Sequence, residues 1–88
     1  MIRVEIYTKK NCPYCTAAKI LLGDKNVTFE EHDAEFDEEL RAEMIERSGG
    51  RTTFPEIFIN NNHIGGFDDL SKLDQEGKLD DLLNQNHL

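Results

Sequence analysis

An alternating apolar stretch runs straight into Pro13, and that junction restricts the folds open to this chain. Ile2, Val4 and Ile6 alternate with Arg3, Glu5 and Tyr7, the period-two pattern of a half-buried strand. Lys9 to Asn11 form a short polar loop. Pro13 then suits the first position of a helix, where a backbone N–H would have no partner in any case. Ala18, Leu21 and Leu22 share one face of that helix with Cys15, and Gly23-Asp24 end it. A strand feeding a helix after so short a loop opens a β-α-β unit.

The rest of the chain continues this alternation. Val27, Phe29 and their neighbours read as a second strand. Asp37, Glu38 and Glu39 suit the first turn of a second helix, where negative charge meets the positive end of the helix dipole. Phe36, Leu40 and Met44 recur every four residues along it, and Ser48-Gly49-Gly50 stop it. Pro55 opens a strand over 56–60, Asn61-Asn62 makes a hairpin turn into His63-Ile64, and Gly65-Gly66 break that strand. A third helix turns Leu70 and Leu73 inward and ends at Gly77; Leu79, Leu82 and Leu83 add a last turn or two. The order β-α-β-α-β-β-α predicts an α/β fold in one domain, 1–88, with a small mixed four-stranded sheet and helices on both faces.

Charge and composition exclude several roles. The 88 residues carry a formal charge of −8, which disfavours nonspecific attraction to nucleic acid or an anionic membrane. No segment approaches the length of a membrane span, and the N-terminal alternation is unlike a signal peptide, so the expected location is the cytoplasm. A secreted domain stapled by disulfides would hold more than two cysteines.

Those two cysteines, Cys12 and Cys15, bracket the helix start as Cys12-Pro13-Tyr14-Cys15. Positions three apart on a helix lie roughly 5–6 Å apart at Cβ. A disulfide needs about 3.5–4.5 Å, so a small local adjustment forms or breaks the bond. Cys12 falls at the N-cap, where the N–H groups of Tyr14 and Cys15 can point at its sulfur. The helix dipole and the nearby Lys9 and Lys10 add positive charge, and all three effects favour the nucleophilic thiolate. Cys15 lies one turn in, shielded, and is placed to resolve. A structural disulfide here would close almost no loop. A zinc site would need two more ligands, and His32, His63 and His87 show no ligand-like pairing. The histidines read as surface or edge residues, and the acidic run from Glu30 to Glu39 as a solvated face. No metal site is expected.

Two further segments bear on substrate binding. Thr53-Phe54-Pro55 precedes a strand; proline keeps the residue before it extended. A cis Phe54–Pro55 bond would turn the Phe54 backbone outward to pair with an extended peptide, and the residues alone leave the isomer open. Gly65-Gly66-Phe67-Asp68-Asp69 offers close backbone approach, free N–H groups for a carboxylate and Asp68 for an ammonium. On its own this segment also reads as a plain N-cap.

Together, in this order and at these distances, Cys12-Pro13-Tyr14-Cys15, Thr53-Phe54-Pro55 and Gly65-Gly66-Phe67-Asp68-Asp69 resemble the glutaredoxin family, above all its short bacterial dithiol members. The resemblance runs from Val4 to Leu79. It implies a thioredoxin fold with Pro55 cis, and thiol–disulfide exchange with glutathione as co-substrate and no permanently bound cofactor. By this likeness the glutathione cysteine pairs with the Phe54 backbone beside Thr53 and Pro55. The γ-glutamyl group meets Gly66, Phe67, Asp68 and Asp69. The glycine carboxylate meets Lys9, with Tyr14 and Arg41 nearby. Implied partners are glutathione and proteins that are glutathionylated or carry disulfides, met by a monomer. The chain departs from the family's pattern in Phe54, where valine is usual, in Phe67, where a small or polar side chain is common, and in an extra residue at Gly49-Gly50, which leaves Arg51 without an assigned role.

Overall fold

The computed structural model describes residues 2–84. Its elements run β1 (Val4–Thr8), α1 (Pro13–Asp24), β2 (Glu30–Asp33), α2 (Glu38–Arg47), β3 (Glu56–Ile59), β4 (Asn62–Gly65), α3 (Phe67–Gln75) and α4 (Lys78–Leu83). One four-stranded sheet has the order β2-β1-β3-β4. β1 lies parallel to β2 across the α1 crossover and antiparallel to β3, and β3 turns back into β4. This is the mixed sheet that the element order predicts.

The two faces of the sheet are built from different materials. Val4 and Ile6 of β1 and Ile57 and Ile59 of β3 face Ala18 and Leu22 of α1, Leu70 of α3, and Leu79 and Leu83 of α4. Tyr7 and Phe58 take the other face and pack with Met44, Leu40 and Ile45 of α2. Helices therefore cover both faces. Among the described residues no helix is long and apolar enough to cross a membrane.

Several elements differ from the sequence expectation. β1 is central and buried along its whole length, not half-buried: Glu5 is 3% exposed and Tyr7 has no exposed surface. Glu5 is tolerated because Arg47 grips both its oxygens, at 2.9 and 3.0 Å, and His32 lies 3.2 Å away. This bidentate pairing holds the Glu5 carboxyl below its usual range against the opposing effect of burial. The second strand starts three residues later than Val27. Val27 and Phe29 pack against the core from the preceding loop, and the strand itself is the polar Glu30–Asp33. The hairpin turn is Asn60-Asn61, not Asn61-Asn62. Both take left-handed φ, 51° and 69°, as a two-residue hairpin of this hand requires, and Asn62 already pairs with Ile59. Asp37 is the α2 N-cap, its side chain accepting from the Leu40 N–H at 3.0 Å. Phe36 precedes that cap and is 86% exposed, so it shares no buried face with Leu40 and Met44.

The acidic run is only partly a solvated face. Glu30 pairs with Arg3, and Glu31 accepts from Thr8 and Lys19. Glu5, Glu30 and His32 bring ligand atoms within 4.8 Å of one another, but Arg3 and Arg47 already neutralise the two carboxylates. His87 lies outside the described residues.

Candidate active site

Cys12 occupies the N-cap of α1 in extended conformation, with Pro13 at the first helical position. The Cys15 N–H donates to the Cys12 sulfur at 3.3 Å. Of the two N–H groups expected there, that of Cys15 makes the bond, as an N–H three residues on does to a capping oxygen. Cys12 is half-buried and Cys15 is 2% exposed. Burial, with the hydrogen bond to Cys12 second, pushes the Cys15 thiol up to about 12, so it stays protonated near neutrality. One sulfur is accessible and capped by a backbone donor; the other is dry and protonated. That asymmetry suits nucleophile and resolving thiol respectively.

The loop before β3 reaches the same point. The Phe54–Pro55 peptide is cis, and the Cys12 thiol lies 3.9 Å from the Phe54 carbonyl oxygen. Beyond Phe54 runs a groove of about 300 Å³. Thr53, Phe54 and Pro55 form one wall; Gly66, Phe67, Asp68 and Asp69 at the start of α3 form the other, with Tyr14 at the rim. The Tyr14 ring is 61% exposed and tilts towards Phe67 at 6.2 Å between centroids. A wider hollow of about 540 Å³ is lined by both cysteines together with Lys9, Lys10, Asn11 and Lys19 among others.

The groove's polar groups are of both signs. The first N–H groups of α3 have no partners within the helix. Asp68 is exposed there. Asp69 is engaged in capping, since its carboxylate accepts from the Gly66 N–H at 3.1 Å. Gly65 makes room for this: a Cβ at that position would stand 2.2 Å from the Asp69 Oδ2, and its φ of +118° belongs to glycine. Lys9 and Arg41 do not line the groove. They converge on the Phe54 ring, 5.7 and 5.8 Å from its centroid.

Arg51, left without a role by the sequence, is a groove residue. Its guanidinium is half-exposed and lies 3.6 Å from the Glu56 carboxylate. A cation two residues before Thr53 was the available signal, and its approach to Gly66 depends on a contact across the fold.

Known proteins share this architecture and much of this sequence. The family model described as Glutaredoxin matches residues 4–64. Glutaredoxin 3 of Escherichia coli K12 is 57% identical over 83 residues, covering 94% of this chain and 99% of the relative. The solution structure of a glutaredoxin from Brucella melitensis superposes with a TM-score of 0.83 at 57% identity, covering all of this chain and 95% of that one. That of a dithiolic glutaredoxin from Trypanosoma brucei brucei gives 0.82 at 40% identity, over 92% and 86%. With the capped Cys12, the dry Cys15 and the groove beside Pro55 already in place, these likenesses show that the chain belongs to the glutaredoxin family of thiol–disulfide oxidoreductases.

Proposed function

We propose that the chain reduces protein–glutathione mixed disulfides and protein disulfides at the expense of glutathione, with Cys12 as nucleophile and Cys15 as resolving thiol. The observation that carries this reading is the contrast between the two sulfurs: Cys12 capped by the Cys15 N–H and accessible, Cys15 buried and protonated. The Cys12 thiolate attacks the glutathione sulfur of a mixed disulfide. A new S–S bond forms to Cys12 and the old one breaks, releasing the protein thiolate, which takes a proton from water. A glutathione thiolate then attacks the glutathione sulfur held on Cys12, and oxidised glutathione leaves with Cys12 restored. On a protein disulfide, Cys12 forms the mixed disulfide with the protein. Cys15 gives up its proton and displaces the second protein thiol; one glutathione then opens the Cys12–Cys15 bond as a mixed disulfide on Cys12, and a second releases oxidised glutathione and leaves both thiols reduced.

The groove supports glutathione as the partner. The α3 N-terminus offers N–H groups to an α-carboxylate and Asp68 offers a charge to an ammonium, the two ends of a γ-glutamyl head group. The Phe54 backbone beside Cys12 fits the cysteinyl part of the tripeptide, and Lys9 and Arg41 beyond it can meet the glycine carboxylate. Tyr14 packs the rim and moves no proton.

The test is turnover of a glutathionylated peptide with glutathione as sole reductant. Cys12→Ser should abolish it, and Cys15→Ser should retain it while losing most protein-disulfide reduction. Equal loss in both variants on the glutathionylated peptide would overturn the assignment.

A further inference from the structure

Glu56 has no exposed surface, stands one residue past Pro55, and has no part in the chemistry proposed for the cysteines. A buried carboxylate is costly unless its oxygens are fully engaged. Here they are. Oε1 accepts from His63 Nε2 of β4 at 2.6 Å, and Oε2 accepts from the Thr53 hydroxyl at 2.9 Å and faces the Arg51 guanidinium at 3.6 Å. The His63 ring is itself seated on Phe58, 5.1 Å between centroids, so this donor is fixed from the sheet.

The other two donors belong to the groove. Thr53 and Arg51 both line it, and an Arg51 guanidinium nitrogen lies 4.0 Å from where a Cβ on Gly66 would stand. Arg51 thus spans from the loop before β3 to the start of α3. Its guanidinium carries five N–H donors, and Glu56 meets it through Nη2 alone, at ion-pair distance, which leaves donors for a carboxylate in the groove. An arginine without such an anchor would lose rotamer freedom on meeting a ligand and weaken binding accordingly.

We propose that Glu56 is a positioning residue for substrate recognition: anchored by His63, its carboxylate holds Thr53 and the Arg51 guanidinium against the groove beside the start of α3, ready for the α-carboxylate of the γ-glutamyl group. This rests on the reading of the groove as the glutathione site. Glu56 touches no substrate and acts through the two side chains it holds.

The experiment compares the parent, Glu56→Gln, Arg51→Gln and the double variant on a glutathionylated peptide. A second reaction reports on Cys12 alone: its single-turnover attack on dithiodipyridine, a disulfide with no glutathionyl group. Glu56→Gln keeps the side-chain volume and removes the charge. It should raise KM for the peptide about fivefold, the effect of losing one half-exposed ion pair, and leave kcat within about twofold. Its attack on dithiodipyridine should match the parent's. Arg51→Gln should raise KM by a similar factor, and the double variant by no more than the larger single, because both act through one contact. If Glu56→Gln fails to fold, Arg51→Gln at its exposed position decides alone: a raised KM supports the proposal and a parental KM overturns it. A folded Glu56→Gln with parental KM, an additive double variant, or equal slowing on both disulfides also overturns it. A parent that does not saturate with the glutathionylated peptide removes the glutathione reading itself, and this inference with it.

Discussion

The resolving step should carry a pH dependence set by the burial of Cys15. Only a thiolate attacks a disulfide, so the rate at which Cys15 displaces a thiol bound to Cys12 follows its ionised fraction. In the free protein burial pushes this thiol to about 12 from an ordinary 9.0. The hydrogen bond and charge of Cys12 contribute to that rise and vanish once Cys12 is in a mixed disulfide, while burial remains. At pH 7 the ionised fraction therefore lies between roughly one in 10⁵ and one in 10². Proximity offsets so small a fraction, since a sulfur held one helical turn away acts at an effective concentration that can reach about 10⁵ M or more. At any value in that range the rate should rise tenfold per pH unit from pH 6 to 8. The assay loads Cys12 with a chromophoric thiol at low pH, jumps the pH, and follows release of the chromophore. Cys15→Ser supplies the baseline of attack by other species. A release rate that changes less than about threefold between pH 6 and 8 would refute the argument.

Three further outcomes follow from the fold. Arg47→Met strips the bidentate partner from buried Glu5 but leaves His32 and Arg3 nearby, so the loss should fall near the lower end of the roughly 3–5 kcal/mol for breaking a buried pair; denaturant melts check this, and a loss below about 1 kcal/mol would contradict it. Because the folded Glu5 carboxyl is held below its ordinary 4.5, its contribution is present above that pH and fades as pH falls through the folded value, so Glu5→Gln should flatten the acid limb of the stability curve. Gly65→Ala should cost about 1–2 kcal/mol, from the left-handed φ and the displaced Asp69 cap, and weaken glutathionyl binding with it; a melting temperature equal to the parent's would count against the cap.

What could be read from the sequence was what depends on near neighbours. Pro13 fixed the helix start and hence the N-cap position of Cys12, and the spacing of three put Cys15 on the buried face. The long-range contacts escaped. Period-two reading put Glu5 at a solvated face because its partner Arg47 lies 42 residues away, and nothing local distinguishes a buried, paired glutamate from an exposed one. Three consecutive asparagines each tolerate a turn, and only the pairing of Ile59 with Asn62 selects Asn60-Asn61. Val27 and Phe29 drew the second strand forward because apolar loop residues packing on a core look like a strand, whereas the true strand is polar and held by backbone bonds to β1. Arg51 gained its meaning from Gly66 and Glu56, both placed by the fold.

The sheet order leaves β2 and β4 at its margins, and β2 is written Glu30-Glu31-His32-Asp33. An outer strand offers unpaired backbone groups on which another molecule can extend the sheet. A second β2 docking there would bring like charges face to face along its length, which is unfavourable for each opposed pair. The same carboxylates that hold Arg3 and Lys19 thus also guard this margin against edge-to-edge growth.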